Sequence, residues 1–198
     1  MKPTEDSARE GPLSRELRDR LSSVLLGCVE HLGVVYSTEE ALFPYSSRLV
    51  DGAFINDYRK PDALRYTLNT LLGLQEAAQA RSADLPASRV ETMIQTFCER
   101  HGDAIDDPAD LGMLLLLLSV QSGGQTHEAI VGRTLETLRV KLHRNDPALF
   151  NMQGLSWIIW GAAEATRAGI PSADEVGRAA AALLKANFVE RRFRSTCG

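Results

Sequence analysis

Prolines 61, 108 and 147 each lead an apolar segment: KPDALRYTLNTLLGL, DPADLGMLLLLLSV and DPALFNMQGLSWIIWGA. Proline suits the first turn of a helix, where its fixed φ is already helical and its missing N–H is not needed. The intervals between the three, 47 and 39 residues, are those of a helix-hairpin repeat. In such a repeat each hairpin has an apolar face that only its neighbours can cover. The spacing therefore predicts an all-α fold: a helical hairpin array, either a partial α/α toroid or an open solenoid.

Residues 1–13 read as a disordered lead-in, and 14–198 as a single helical domain with a structured loop at 36–60. A first helix is predicted from about Ser14 to Val35, with Leu17, Leu21, Val24, Leu25, Cys28, Val29 and Leu32 on one face. The stretch 36–60 then breaks the pattern. It holds Pro44, Gly52 and the aromatics Tyr36, Phe43, Tyr45, Phe54 and Tyr58, too irregular for a long helix and too apolar for a linker.

Beyond it the helices alternate in character. The proline-led segments at 61–80, 108–122 and 147–168 are apolar on most sides, and the middle one is apolar all round, so it must be enclosed. The segments at 86–100, 126–144 and 172–193 are amphipathic. Inner rods covered by half-wet outer rods are what a two-layer array requires. No segment alternates with period two, so the reading contains no sheet. Asp107 and Asp146 precede their prolines as candidate caps, and Gly123 and Gly169 are candidate stops. The polar connections recur before each inner helix, so the rim at the inner-helix N-termini is where chemistry is expected.

A net charge of −4 gives no basic footprint for nucleic acid, and the one basic cluster, Arg191, Arg192 and Arg194, suits a helix C-terminus. The longest apolar run, Met113–Leu118, is far short of the ~20 residues of a membrane span. Three widely spaced cysteines and a polar N-terminus without an apolar core predict reduced thiols, no signal peptide and a cytoplasmic location.

The stretch LFPYSSRLVDGAFINDYRKPDALRYTLNTLLGLQEA, residues 42–77, followed by two more hairpins, resembles helical-toroid (α/α-barrel) proteins. These are of the squalene cyclase and prenyltransferase type and of the six-hairpin glycosidase type. The wording RYTLNTLLGLQEA is similar to bacterial proteins of that shape with no assigned reaction. The resemblance implies a ring of hairpins with a ligand site at its mouth. About seven helices make half such a ring, and the D-x-D-D acid motif and Gln-Trp repeats of the triterpene cyclases are absent. No catalytic residue is therefore carried over.

The candidate residues follow from local chemistry. Asp51 and Asp57 flank an aromatic loop and are candidate acid and base of glycoside hydrolysis, with backbone turn-capping as the alternative. Tyr45, Arg48, Arg65 and Tyr66 are candidate ligand contacts. Arg65 is a cation near an inner-helix N-terminus, where the dipole disfavours it, so it needs an anion: an acidic ligand group or Asp57, or an internal ion pair that ties the long loop to the ring. Asp106, Asp107 and Asp110 match a D-D-x-x-D pattern that holds Mg²⁺ in isoprenoid enzymes. With Pro108 inside the motif, capping and dipole pairing are the better reading. His127-Glu128 lacks the second histidine of a zinc motif, and no phosphate or dinucleotide fingerprint is present, so no metal and no cofactor is predicted. Trp157 and Trp160 line either a cavity or the core. The functional expectation is a small-molecule site, for a glycan or isoprenoid-type ligand, at the inner-helix rim. The alternatives are a non-catalytic protein-interaction module, or a truncated half-toroid completed by a second copy as a homodimer.

Overall fold

A computed structural model describes residues 12–59, 61–80, 86–120, 127–144 and 149–189. The inner helices are α2 (Asp62–Gln79), α4 (Pro108–Ser119) and α6 (Met152–Arg167), and the outer helices are α3 (Ala87–His101), α5 (Glu128–Arg144) and α7 (Ala173–Val189). The first helix, α1, spans Pro12–Val35. Among the described residues the fold is all-α apart from one β-hairpin, and no helix is long and apolar enough to cross a membrane.

The inner layer runs parallel. Arg65 in the first turn of α2 reaches Asp107 and Asp110 at the start of α4, while Gln79 at the end of α2 donates to the Val120 carbonyl at the end of α4. The α4–α6 pair is in step as well: Gly154 lies against Ala109, Gly112 against Ile158, and Gly161 against Leu116. This seam is backbone on backbone. A Cβ on Gly112 would stand 2.6 Å from the Ile158 nitrogen, and one on Gly161 would strike the Gly112 carbonyl oxygen. Glycine is required here by close approach, at some cost in helix propensity. On its other sides α4 packs against α2 and α5, and every residue from Asp110 to Leu118 is buried.

The two-layer order is what the packing shows, α2 and α6 flanking α4 with α3, α5 and α7 beside them. Only α4 is enclosed: α2 and α6 each keep an exposed face, because they have fewer neighbours to cover them. The helix starts are more regular than the prolines. Asp62, Pro108 and Met152 lie 46 and 44 residues apart. Asp107 caps α4, accepting from the Ala109 and Asp110 amides. Asn151 caps α6, so this helix opens at Met152 and not at Pro147. Pro147, Asp146, Gly123 and the Arg191–Arg194 cluster lie outside the described residues. Gly169, with φ +78°, ends α6 as expected: its amide donates to Thr166 and that of Ile170 to Ala165, the paired bonds of a Schellman turn.

The segment 36–60 corrects the expectation of no sheet. Strand β1 (Ser46–Val50) pairs antiparallel with β2 (Ala53–Asp57). The turn is Asp51-Gly52, both with positive φ, 51° and 81°. That is a two-residue turn whose twist matches the strands, and an Asp-Gly pair suits it. Before the hairpin, Ala41, Leu42 and Phe43 are buried. The Phe43 amide donates to Thr67 Oγ1 of α2, and His101 Nε2 meets the Glu40 carbonyl. The first part of the segment is therefore core, and the hairpin projects from it.

Candidate functional site

The parallel inner layer brings the N-termini of α2, α4 and α6 to one rim, and a polar cleft of about 100 Å³ opens there. Arg65 and Asn69, one turn apart on α2, form one wall. Asp107 and Ala109 of the α4 start form the floor, and Asn151, Gln153 and Trp157 of α6 the other wall. Two capped helix ends add amide dipoles whose positive ends face the cleft.

Arg65 organises the floor. Its Nε donates to Asp110 Oδ1 at 2.6 Å and its Nη2 lies 2.9 Å from Asp107 Oδ1. Asp110 is almost fully buried, whereas Arg65 is about half exposed. Burial pushes the Asp110 carboxyl above its usual range, the Arg65 guanidinium opposing part of that rise. The hydrogen bond to Asp110 in turn raises Arg65 further. The anion that Arg65 needs is therefore on α4. Asp57 is not its partner.

The D-D-x-x-D residues part company. Asp107 is a cap, Asp110 an internal counter-ion, and Asp106 turns outward to Lys141 of α5 at 3.0 Å. Among the described residues no three His, Cys, Asp or Glu side chains gather to hold a metal ion. The magnesium reading of Asp106, Asp107 and Asp110 is set aside on that geometry.

Of the remaining candidates, Tyr45, Asp57 and Tyr66 form a second, separate cluster at the hairpin base. Asp57 is clamped by Arg59, whose Nη2 also donates to the Tyr45 hydroxyl at 2.9 Å. The Tyr45 ring lies 6.3 Å from that of Tyr66, and Arg59 stands over Tyr45. The Arg59 hydrogen bond holds Asp57 below its usual carboxylate range. Arg48 sits mid-strand opposite Ile55 and is exposed. Asp51 is at the hairpin tip. At ~3.4 Å per residue the tip lies about 17 Å from the Ser46–Asp57 pair, too far for an acid–base couple across one glycosidic bond. Tyr45, Arg48, Asp51, Asp57 and Tyr66 thus do not line the cleft that contains Arg65.

Sequence reasoning missed Asn69, Asn151, Gln153 and Arg59. Asn69 was signalled by its i+4 spacing from Arg65, and Arg59 by its i+2 spacing from Asp57. Nothing local marks Asn151 and Gln153, which reach the cleft only through the α4–α6 seam. Trp157 was named with its alternatives open. It lines the cleft and stacks on Trp160, ring centroids 5.5 Å apart and planes 7° off parallel, with Trp160 half exposed.

No protein-family model matches the chain, and comparison with curated proteins and with solved structures gives no match.

Proposed function

We propose that this chain is a helical-array binding protein that takes a small hydroxylated group, of the saccharide type, at the inner-helix rim. The observation that carries the reading is the convergence of Arg65, Asn69, Asp107, Asn151 and Gln153 on one small cleft that Trp157 also lines. The Asn and Gln amides offer donors and acceptors, the Asp107 carboxylate accepts and the half-exposed guanidinium donates, and hydroxyls use both directions. A flat indole offers the apolar face that a sugar's C–H side stacks on. Of the two ligand types the sequence raised, the polar lining and small volume favour the glycan. An isoprenoid chain requires a long apolar cavity.

The test is titration with glucose, N-acetylglucosamine and, as the apolar control, farnesol, followed by indole fluorescence and by amide shifts of Asn69 and Gln153. A saccharide should bind with Kd of ~1 mM or tighter, about −4 kcal/mol. Asn69→Ala should weaken it with the thermal midpoint little changed. Saturation by farnesol alone, or no response to any of the three, overturns the reading. A second reading, a protein-interaction role, is supported by a different surface: the apolar face shared by α1 and the hairpin.

A further inference from the structure

α1 is 24 residues long, yet its first buried residue among those described is Val29. From Leu17 to Cys28 every described side chain is exposed, over about 18 Å at ~1.5 Å per residue. Its apolar residues there are exposed: Leu17 by 58%, Leu21 by 61% and Val24 by 64%. Leu17, Leu21, Val24, Cys28, His31 and Val35 follow one another by four, three, four, three and four residues. That 3.5-residue period is the seam of helices that pack along their length on other helices. No charged residue interrupts it between Arg20 and Glu30.

The hairpin continues the same face. Phe54 meets the His31 ring at 6.2 Å, and His31 lies one heptad beyond Val24 and two beyond Leu17. Leu49 is the direct cross-strand partner of Phe54 and shares its side of the hairpin. Phe54 is 60% exposed and Leu49 64%. The Asn56–Tyr58–Val35 hydrogen bonds fix this side of the hairpin against the end of α1. The two arms form one open apolar angle.

We propose that a second copy of this chain occupies that angle, α1 of each copy lying on α1 and the hairpin of the other. Three observations select a second copy over a foreign partner. An isologous contact needs one self-complementary patch, and a heptad seam is self-complementary. Leu17, Leu21, Val24, Leu25, Leu49 and Phe54 each leave on the order of 100 Å² in water, so two copies supply roughly 1,200 Å². That reaches the size of a specific interface before any polar rim is added. A helix that projects without tertiary support gains most of its stability from packing, and the second copy supplies it reciprocally. A lipid surface is disfavoured, because the cations beside the seam, Arg15, Arg18 and Arg20, are matched by Glu16, Asp19 and Glu30 and leave no net positive face. The proposal does not depend on the rim ligand.

The experiment is sedimentation velocity on the full chain from about 1 to about 100 µM, a range that brackets a micromolar Kd. The expected result is a species of twice the chain mass. Leu21→Glu on one arm and Phe54→Glu on the other should each weaken it by about 30-fold or more, the loss of an interface anchor, with far-UV helix signal retained. The exposed Cys28 thiol gives a second readout that needs no variant at the interface. In a chain carrying Cys197→Ser, its maleimide labelling should slow as concentration rises through the dimer transition. Four results overturn the proposal: a monomer throughout, a dimer that neither variant weakens, Cys28 labelling independent of concentration, or a monomer that sediments with phosphatidylcholine vesicles.

Discussion

The α4–α6 seam and the α1–hairpin angle are made of similar residues and have opposite fates. Met113 to Leu118 is an unbroken apolar run, almost wholly out of water, and it lies on a helix whose backbone touches α6 through Gly112 and Gly161. The run LSSVLLG in α1 is also rich in apolar residues, but its Leu21, Val24, Leu25 and Leu26 are exposed. The difference lies in what small residues allow. Gly112 and Gly161 let α6 come close enough to enclose α4, while a Cβ on Gly27 of α1 would meet nothing within 4 Å. Apolar content sets a need for cover. Whether the chain covers itself depends on where close approach is permitted.

The sharpest way to break that contrast is Gly112→Ala. The added Cβ meets the backbone of α6, which cannot rotate aside, so the seam must open. A loss of about 3 kcal/mol is expected, beyond the ~1 kcal/mol that alanine gains in helix propensity. Gly73→Ala, on α2 where a Cβ would meet nothing within 4 Å, is the control and should stabilise by up to ~1 kcal/mol. Urea denaturation of both separates the two effects. Equal and small changes would mean the seam is not the tight element.

The next effect, in size, lies at the rim that the seam creates. Arg65→Met leaves Asp110 buried without its guanidinium, at a cost of about 2 kcal/mol near pH 7, given that Arg65 is itself half exposed. The sign with pH follows from burial, which raises the folded-state value of Asp110 above its unfolded one. A group of that kind contributes stability that is complete below the unfolded value, near 3.9, and is lost as pH rises through the folded one. Without Arg65 the rise is larger. The variant should therefore recover much of its deficit in thermal midpoint as pH is lowered from 7 towards 4. A deficit independent of pH would mean that Asp110 is not the group left unpaired.

These two regions also mark what was legible in the sequence. The enclosure of α4 could be read because six apolar residues in succession leave no wet face, and the Asp107 cap because Asp-Pro is a local signal. The hairpin could have been read from Asp51-Gly52 between two strand-like runs. It was missed because Pro44 and the aromatics made 36–60 look irregular, and helical periodicity on both sides set the expectation. Arg65–Asp110 spans 45 residues of chain. Local spacing can only say that such an arginine wants an anion, and it cannot choose between Asp57 and Asp110. The role of Gly112 and Gly161 was hidden most deeply, since a mid-helix glycine reads as a weakness until its neighbour is known.

Tyr36 stands where α1 joins the core, one residue beyond the helix, its ring against Phe43 at 5.0 Å. Its hydroxyl is buried with no hydrogen-bond partner among the described residues, and burial raises its pKa. Removing an unpaired buried polar group relieves a desolvation cost, so Tyr36→Phe should leave stability unchanged or raise it by about 1 kcal/mol. A loss of that size in urea denaturation would show that the hydroxyl is paired and that the junction is wetter than the packing of Phe43 implies.

The smallest perturbation compares the regions without changing either. Cys28 is exposed on the projecting helix, and Cys98 is buried in α3. Burial pushes the Cys98 thiol up to about 12, so at pH 8 roughly one molecule in ten thousand carries the reactive thiolate. Cys98 therefore reacts with a maleimide only when α3 opens, and its rate reads the free energy of that opening. At low protein concentration Cys28 should label at least about 1,000-fold faster, the separation expected between a frayed element and a core one. Since the main helix neighbour of α3 is α2, the Cys98 rate in Gly112→Ala separates two architectures. If it rises with the loss of global stability, the inner and outer layers open together as one cooperative unit. If it stays at the wild-type value while the seam is weakened, the α2–α3 hairpin holds on its own, and the array comes apart hairpin by hairpin from the α6 end.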